Sequence, residues 1–205
     1  MEMIFEYGKK EAAYLRKKDE ALGAYMKKRG FVERKVEADP FQALTRQIIA
    51  QQINGKAAEA VYNRVQALCR NEISERAIIS LKIEELRSCG VSERKARNLQ
   101  DLARYFSEKN ITGSYFLQKS DEEIIAELTG LSGIGVWTAE MFLLFSLQRK
   151  NILSYGDYGI KKGLCLLHDL GQMDKKTFMA FKELYSPYAS IASLYLWEIA
   201  NENQK

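Results

Sequence analysis

Gly133-Ile134-Gly135 can aim consecutive backbone N–H groups at one point where a helix begins, and a helix dipole adds about half a positive charge there. The natural guest is an anion. A side chain at 133 or 135 would restrict positive-φ backbone angles and keep a phosphate oxygen from the amides. Beyond an apolar stretch stands a lone carboxylate, Asp157. A phosphate-gripping turn followed by an acid suggests chemistry on a nucleic acid. Each part also has a plainer reading. A G-x-G turn serves as a C-cap and tight connection in helical bundles, and Asp157 stands where an N-cap for a helix starting at Tyr158 belongs. The cap and a chemical role are compatible.

The elements that position these residues are helical. Ser120, followed by Asp121, Glu122 and Glu123, reads as a capping box opening a short helix through Leu128. A second helix, from Val136 to Gln148, carries Trp137, Met141, Leu144 and Phe145 on one stripe, widened by Phe142, Leu143 and Leu147. Apolar almost all round, it must be buried and central. A first helix is expected from Gly8 to Lys28, its lysines forming a solvated face. Asp39 and Pro40 start another, as N-cap and first-turn residue with Gln42 completing a box, and Asn54-Gly55 breaks it. Further helices are expected over 56–69, 74–79, 83–88, 93–107, 158–168, 175–185 and 188–201. The chain reads as all-α.

Composition narrows the class without deciding it. The 205 residues are 46% hydrophobic, enough for one sizeable core or two small ones. A net charge of +4 suits a polyanion, yet many soluble proteins are as basic. Cys69, Cys89 and Cys165 form no CxxC pair and read as reduced thiols. The lone His168 reads as a surface or partly buried imidazole rather than a metal ligand. The N-terminus lacks a secretory apolar region, no run approaches membrane length, and no repeat of fixed period is present. A cytoplasmic protein is expected, nucleoid-associated in a prokaryote and nuclear in a eukaryote.

The stretch L-x-G-I-G-x-W-T-A, its apolar helix and D-Y-G-I-K-K-G from Asp157 to Gly163 resemble the helix-hairpin-helix (HhH-GPD) DNA glycosylase superfamily, whose members share this hairpin and a catalytic aspartate. Two more blocks resemble its alkylpurine branch, the type II 3-methyladenine glycosylases. One is Asp39-Pro40-Phe41, Leu44 and IIAQQINGKAA from Ile48 to Ala58; the other is Cys89-Gly90-Val91-Ser92 with Lys95, Ala96 and Leu99. The branch commonly has Asp and Pro in the loop before its acid, where this chain has Asn151 and Ser154.

The resemblance implies a two-lobed all-α fold with an interlobe active-site cleft. Residues 1–45 would pack with a C-terminal lobe of residues 151–205, and residues 46–150 would form a barrel-like subdomain holding the hairpin at 120–148. It assigns Asp157 as the catalytic acid, since breaking a base–sugar bond builds positive charge on the deoxyribose that a fixed carboxylate stabilises. The same carboxylate can orient or deprotonate water. Bifunctional relatives carry a catalytic lysine where this chain has Trp137, which implies hydrolysis without strand cleavage. Trp137, Tyr158 and Trp197 match base-pocket positions, as suits a purine made cationic by alkylation; each is equally a core aromatic. Gln52 or Ile53 would wedge into the duplex, or pack as a helix end.

Gly133, Gly135 and Lys161 would bind DNA phosphate, with Lys162 and Lys95 either joining them or simply exposed. A structural monovalent cation could bridge hairpin carbonyls to phosphate; no divalent metal or organic cofactor is implied. The expected partner is double-stranded DNA with alkylated bases, acted on by a monomer. Two other classes stay open: a glycosylase for deaminated or oxidised purines, and a non-catalytic helix-hairpin-helix DNA-binding protein.

Overall fold

The computed structural model describes residues 3–202. Among these it holds twelve helices: α1 Lys9–Lys18, α2 Glu20–Arg29, α3 Pro40–Ala50, α4 Gly55–Leu68, α5 Glu75–Ser80, α6 Ile83–Ser88, α7 Glu93–Glu108, α8 Asp121–Thr129, α9 Val136–Phe145, α10 Tyr158–His168, α11 Lys175–Tyr185 and α12 Ala189–Glu202. The only β pairing among the described residues is an isolated antiparallel bridge between Ile4 and Lys35. The all-α expectation holds.

The chain divides into two units, one of Met1–Val36 with Leu143–Lys205 and one of Glu37–Phe142. The sequence reading drew these boundaries near 45 and 150. α3 belongs wholly to the second unit, and the later division falls inside α9. In the Glu37–Phe142 unit, Phe41, Phe106, Phe116 and Phe142 form a chain of tilted and edge-on ring contacts, with centroids 5.2–6.4 Å apart, that joins α3, α7 and α9. In the other unit, α12 is the central helix, with Ile191, Leu194 and Leu196 fully buried.

Two elements depart from expectation. The single helix expected over residues 8–28 is two, because Asp19 takes an extended conformation and its Oδ1 accepts from the Leu22 N–H at 3.0 Å, capping α2. Its Oδ2 accepts from the Tyr185 hydroxyl at 2.6 Å and lies 3.1 Å from His168 Nε2. An aspartate inside a helical pattern reads locally as surface; the partners that turn it into a buried cap lie far along the chain. Gly23 lets α2 fold back, since a Cβ there would come within 3.0 Å of the Arg16 backbone.

α9 ends at Phe145, not Gln148. Gln148 is left-handed (φ 51°), and the Arg149 N–H closes back on the Leu143 carbonyl at 2.9 Å. This seven-to-one closure is one residue wider than the usual six-to-one of a helix C-terminus, and its left-handed residue is not the usual glycine. The first turn of α9 is also more open than its apolar sequence implies, with Val136 and Trp137 exposed, while Met141, Phe142, Leu143 and Leu144 are buried. Periodicity reports a face, not how deep each turn lies.

Candidate active site

Asp157 sits at the N-cap of α10 and is 8% exposed. Its Oδ1 accepts two hydrogen bonds, from the Ile160 N–H at 2.9 Å and from Trp197 Nε1 at 3.0 Å. The cap is worth about 1 kcal/mol to the helix. The indole bond does something the cap cannot, because it fixes the carboxylate's rotation from a second element, α12. Trp197 is held in turn by Phe145, stacked at 5.5 Å and 27°. The acid and Trp197, both expected at the site, are therefore brought together.

Two glycines on α10 make this meeting possible. A Cβ on Gly163 would lie 2.3 Å from the Leu196 carbonyl, and one on Gly159 would lie 2.8 Å from Trp197 Cδ1. Only a bare backbone allows α12 that close. The loop before Asp157 is fastened to α12 by serines. Ser190 Oγ accepts from the Ile152 N–H (2.8 Å) and donates to the Arg149 carbonyl, while Ser193 Oγ donates to the Ile152 carbonyl (2.9 Å). Both serines are fully buried. At the loop's departure from family pattern, Asn151 Nδ2 donates to Ser186 Oγ at 3.1 Å, and Ser154 accepts from the Asp157 N–H through its carbonyl at 3.2 Å. Lys150 at the loop's start pairs with Glu11 of α1 at 2.8 Å.

Tyr158, the residue after the acid, is 74% exposed, so it faces solvent rather than a core. The Lys161 ammonium lies 4.9 Å from the Tyr155 ring centroid, an exposed-site cation–π contact. Lys162 is not a free surface cation: its Nζ donates to the Ala200 carbonyl at 3.0 Å, near the C-terminal end of α12.

In the Glu37–Phe142 unit, the capping box on α8 forms as expected, with Ser120 Oγ accepting from the Glu123 N–H and Glu123 returning to the Ser120 N–H. The hairpin turn follows. Gly133 has φ 83°, and a Cβ there would come 2.1 Å from Asn98 Nδ2. Gly135 is different, since its φ is not positive and a Cβ would meet nothing within 4 Å. The expectation that both glycines serve the backbone holds for Gly133 alone. At 135 a Cβ would stand in open space, so nothing among the described residues requires glycine there. Trp137, in the next turn, is 42% exposed.

The turn between α3 and α4 carries Gln52, which is exposed and left-handed at φ 59°, and Ile53, which is 39% exposed. Asn54 caps α4 through the Ala57 N–H at 2.9 Å. Lys95, weighed above as a phosphate contact, is instead buried, with Nζ donating to the carbonyls of Ile49 (2.7 Å) and Gln51 (2.6 Å). Burial pushes its ammonium below the usual lysine range. Among the described residues no group of His, Cys, Asp or Glu could hold a metal ion.

Sequence reasoning missed Ser190, Ser193, Gly159, Gly163, Gln51 and Asn98. Only the glycines carried a signal, their spacing of four inside D-Y-G-I-K-K-G, which puts both on one face of α10. The serines look like ordinary α12 residues until the loop lies on them.

The chain matches the sequence profile of the HhH-GPD superfamily base excision DNA repair proteins over residues 45–187. It is 33% identical to DNA-3-methyladenine glycosylase 1 of Schizosaccharomyces pombe over 168 residues, 78% of this chain and 72% of that protein. It is 31% identical to DNA-3-methyladenine glycosylase of Saccharomyces cerevisiae, covering 80% of this chain and 68% of that one. Among solved structures, DNA-3-methyladenine glycosidase from Bacillus halodurans superposes with a TM-score of 0.85 at 32% identity, covering 97% and 92% of the two chains. The S. pombe 3-methyladenine DNA glycosylase in complex with abasic DNA superposes with a TM-score of 0.83 at 30% identity, covering 92% and 95%. With that agreement over most of its length, in sequence and in fold, this chain belongs to the HhH-GPD superfamily of base excision DNA repair proteins.

Proposed function

We propose that the protein is a monofunctional DNA glycosylase that hydrolyses the N-glycosidic bond of alkylated purines in double-stranded DNA, of the 3-methyladenine and 7-methylguanine type. The observation that carries this reading is the buried Asp157 carboxylate, held by the Ile160 N–H and the Trp197 indole, in a chain similar along most of its length to named 3-methyladenine glycosylases.

Alkylation at N3 or N7 places a positive charge on the purine, so the base leaves as a neutral molecule with the electron pair of its bond to the sugar. Positive charge then develops on the deoxyribose, where the Asp157 carboxylate stabilises it. Water adds to C1′ and loses a proton, with Asp157 as the acceptor. The products are the free base and an abasic site. Two hydrogen bonds to one oxygen lower the carboxylate's mobility, so it is already in place when the charge appears.

Gly133 and Gly135 hold a DNA phosphate through backbone amides, and Lys161 adds a positive charge. Trp197, Trp137 and Tyr158 offer aromatic surface to the cationic base. Gln52 or Ile53 fills the gap left by the extruded nucleotide. The hairpin turn offers main-chain carbonyls, a donor set suited to a monovalent cation, and no step above needs a divalent ion. With tryptophan at 137, no amine stands where a Schiff base with the sugar would form.

The test is to incubate the protein with methylated duplex DNA, identify the released bases by chromatography, and add borohydride to trap any covalent enzyme–DNA adduct. Release of methylated purines with no trapped adduct is the expected result. Release of only deaminated or oxidised bases from matched substrates assigns a different lesion class; a trapped adduct overturns the monofunctional mechanism.

A further inference from the structure

The tip at 51–53, just ahead of the Asn54 cap, is poorly supported by its own backbone. Its two local hydrogen bonds, Gln51 N–H to the Ile48 carbonyl and Ile53 N–H to the Ala50 carbonyl, are both 3.4 Å long, and Gln52 adds left-handed strain. Bonds of that length contribute little. The short bonds come from elsewhere. Lys95 Nζ reaches the Ile49 and Gln51 carbonyls at 2.7 and 2.6 Å, and Gln51 Nε2 donates to the Gly133 carbonyl at 2.7 Å. One turn along α7, the Asn98 amide packs where a Gly133 side chain would stand.

A buried lysine is an expensive way to end a helix. Its buried ammonium gives up water and gains two carbonyls at the negative end of α3. An apolar residue would fill the same volume without that cost. What an apolar residue cannot do is grip two carbonyls, those of Ile49 and Gln51, beside a tip whose own bonds are long. Along one edge of α7, then, Lys95 secures the 51–53 tip and Asn98 abuts the hairpin turn, while Gln51 ties the two turns to each other.

We propose that Lys95 and Gln51 are positioning residues that brace the Gln52–Ile53 tip against the Gly133 hairpin, fixing the spacing between the phosphate the hairpin holds and the point at which the tip enters the duplex. This rests on the proposed function, in that the hairpin binds backbone and the tip inserts. The brace makes insertion happen at a set distance from a held phosphate. Without it the hairpin still binds DNA, but the tip arrives out of register.

The experiment uses a duplex with a tetrahydrofuran abasic analogue opposite 2-aminopurine, whose fluorescence reports local unstacking, alongside single-turnover release of 7-methylguanine from a second duplex. Lys95→Met is expected to lose most of the fluorescence step and about 10- to 100-fold in release rate, the scale of a misplaced group remote from the chemistry. Its Kd should stay within about threefold, because phosphate contacts dominate affinity. Gln51→Leu should fall less, and the double variant no further than Lys95→Met alone, since the residues act as one unit. Should Lys95→Met fail to fold, Gln51→Leu decides by the same readouts.

A full fluorescence step in a variant that is merely less stable, equal losses of rate and affinity, or independent losses in the double variant overturns the brace. A wild-type protein that gives no step also overturns it. If the wild type gives the step but releases no base, the proposed activity is refuted, and the variants' fluorescence still decides the brace.

Discussion

Around Asp157, side chains do the fixing: the Trp197 indole on the carboxylate, and the hydroxyls of Ser190 and Ser193 on the loop before it. Around the glycine turn, the groups being held are main-chain carbonyls, those of Ile49, Gln51 and Gly133, and the tips of the two turns, at Gln52 and Gly133, are exposed. The first region is buried and immobilises one charged group. The second is exposed and presents backbone. A group that must meet developing charge gains from rigid, water-poor surroundings, whereas a surface that meets any DNA sequence gains from amides and shape rather than from particular side chains. On the proposed function, side chains thus fix the acid and backbone forms the grip on DNA.

That contrast predicts which losses separate rate from binding. The largest effect belongs to Asp157→Asn, which keeps a capping side chain of the same shape and removes only the charge. Base release should fall about 100- to 10,000-fold, while a melt shifts by less than about 1 kcal/mol and affinity for abasic duplex persists. Equal losses of rate and affinity would erase the distinction between the two regions.

Next is Gly159→Ala, which sets a methyl 2.8 Å from Trp197 Cδ1 and 3.2 Å from Asp157 Oδ1. Overpacking of this kind costs about 1–3 kcal/mol, and the displaced indole should lower kcat more than it raises KM. Urea unfolding and steady-state kinetics on methylated DNA read the two effects separately.

The glycine turn offers a sharper pair. Gly133→Ala should destabilise by about 1–3 kcal/mol, through a left-handed φ and a collision with Asn98. Gly135→Ala should change stability by less than about 1 kcal/mol yet weaken DNA binding, measured by fluorescence anisotropy. If Gly135→Ala leaves affinity intact, the open space before that amide is not where phosphate sits.

The smallest effect concerns the strap at the loop's start. The Lys150 ammonium, with main-chain N–H groups, holds the Glu11 carboxyl down at about 2 from its ordinary 4.5. A depressed carboxyl contributes stability that is fully present above pH 4.5 and is lost as pH falls toward 2. Unfolding of Glu11→Gln followed over that interval should show a shallower acid loss than the wild type.

Much of this was legible in the residues themselves. Capping signals at Ser120, Asp39 and Asp157 sit within a few positions of the helices they start, so α8, α3 and α10 begin where the sequence says. The acid and the G-x-G turn were visible for the same reason. What stayed hidden depends on distant partners. Asp19 becomes a helix break through Tyr185 and His168, and Lys95 changes from a surface cation to a buried cap because α3 ends beside it. A lysine in the first turn of α7, between Arg94 and Ala96, gives no local sign of facing inward.

The approach of α12 to α10 at Gly163 bears on motion. A backbone carbonyl where a Cβ would otherwise stand leaves no room for one helix to slide past the other. Trp197 and Asp157 are therefore expected to move together, the acid and its indole keeping the bond between them. Amide protons of α10 and α12 should accordingly exchange with solvent in a single cooperative opening.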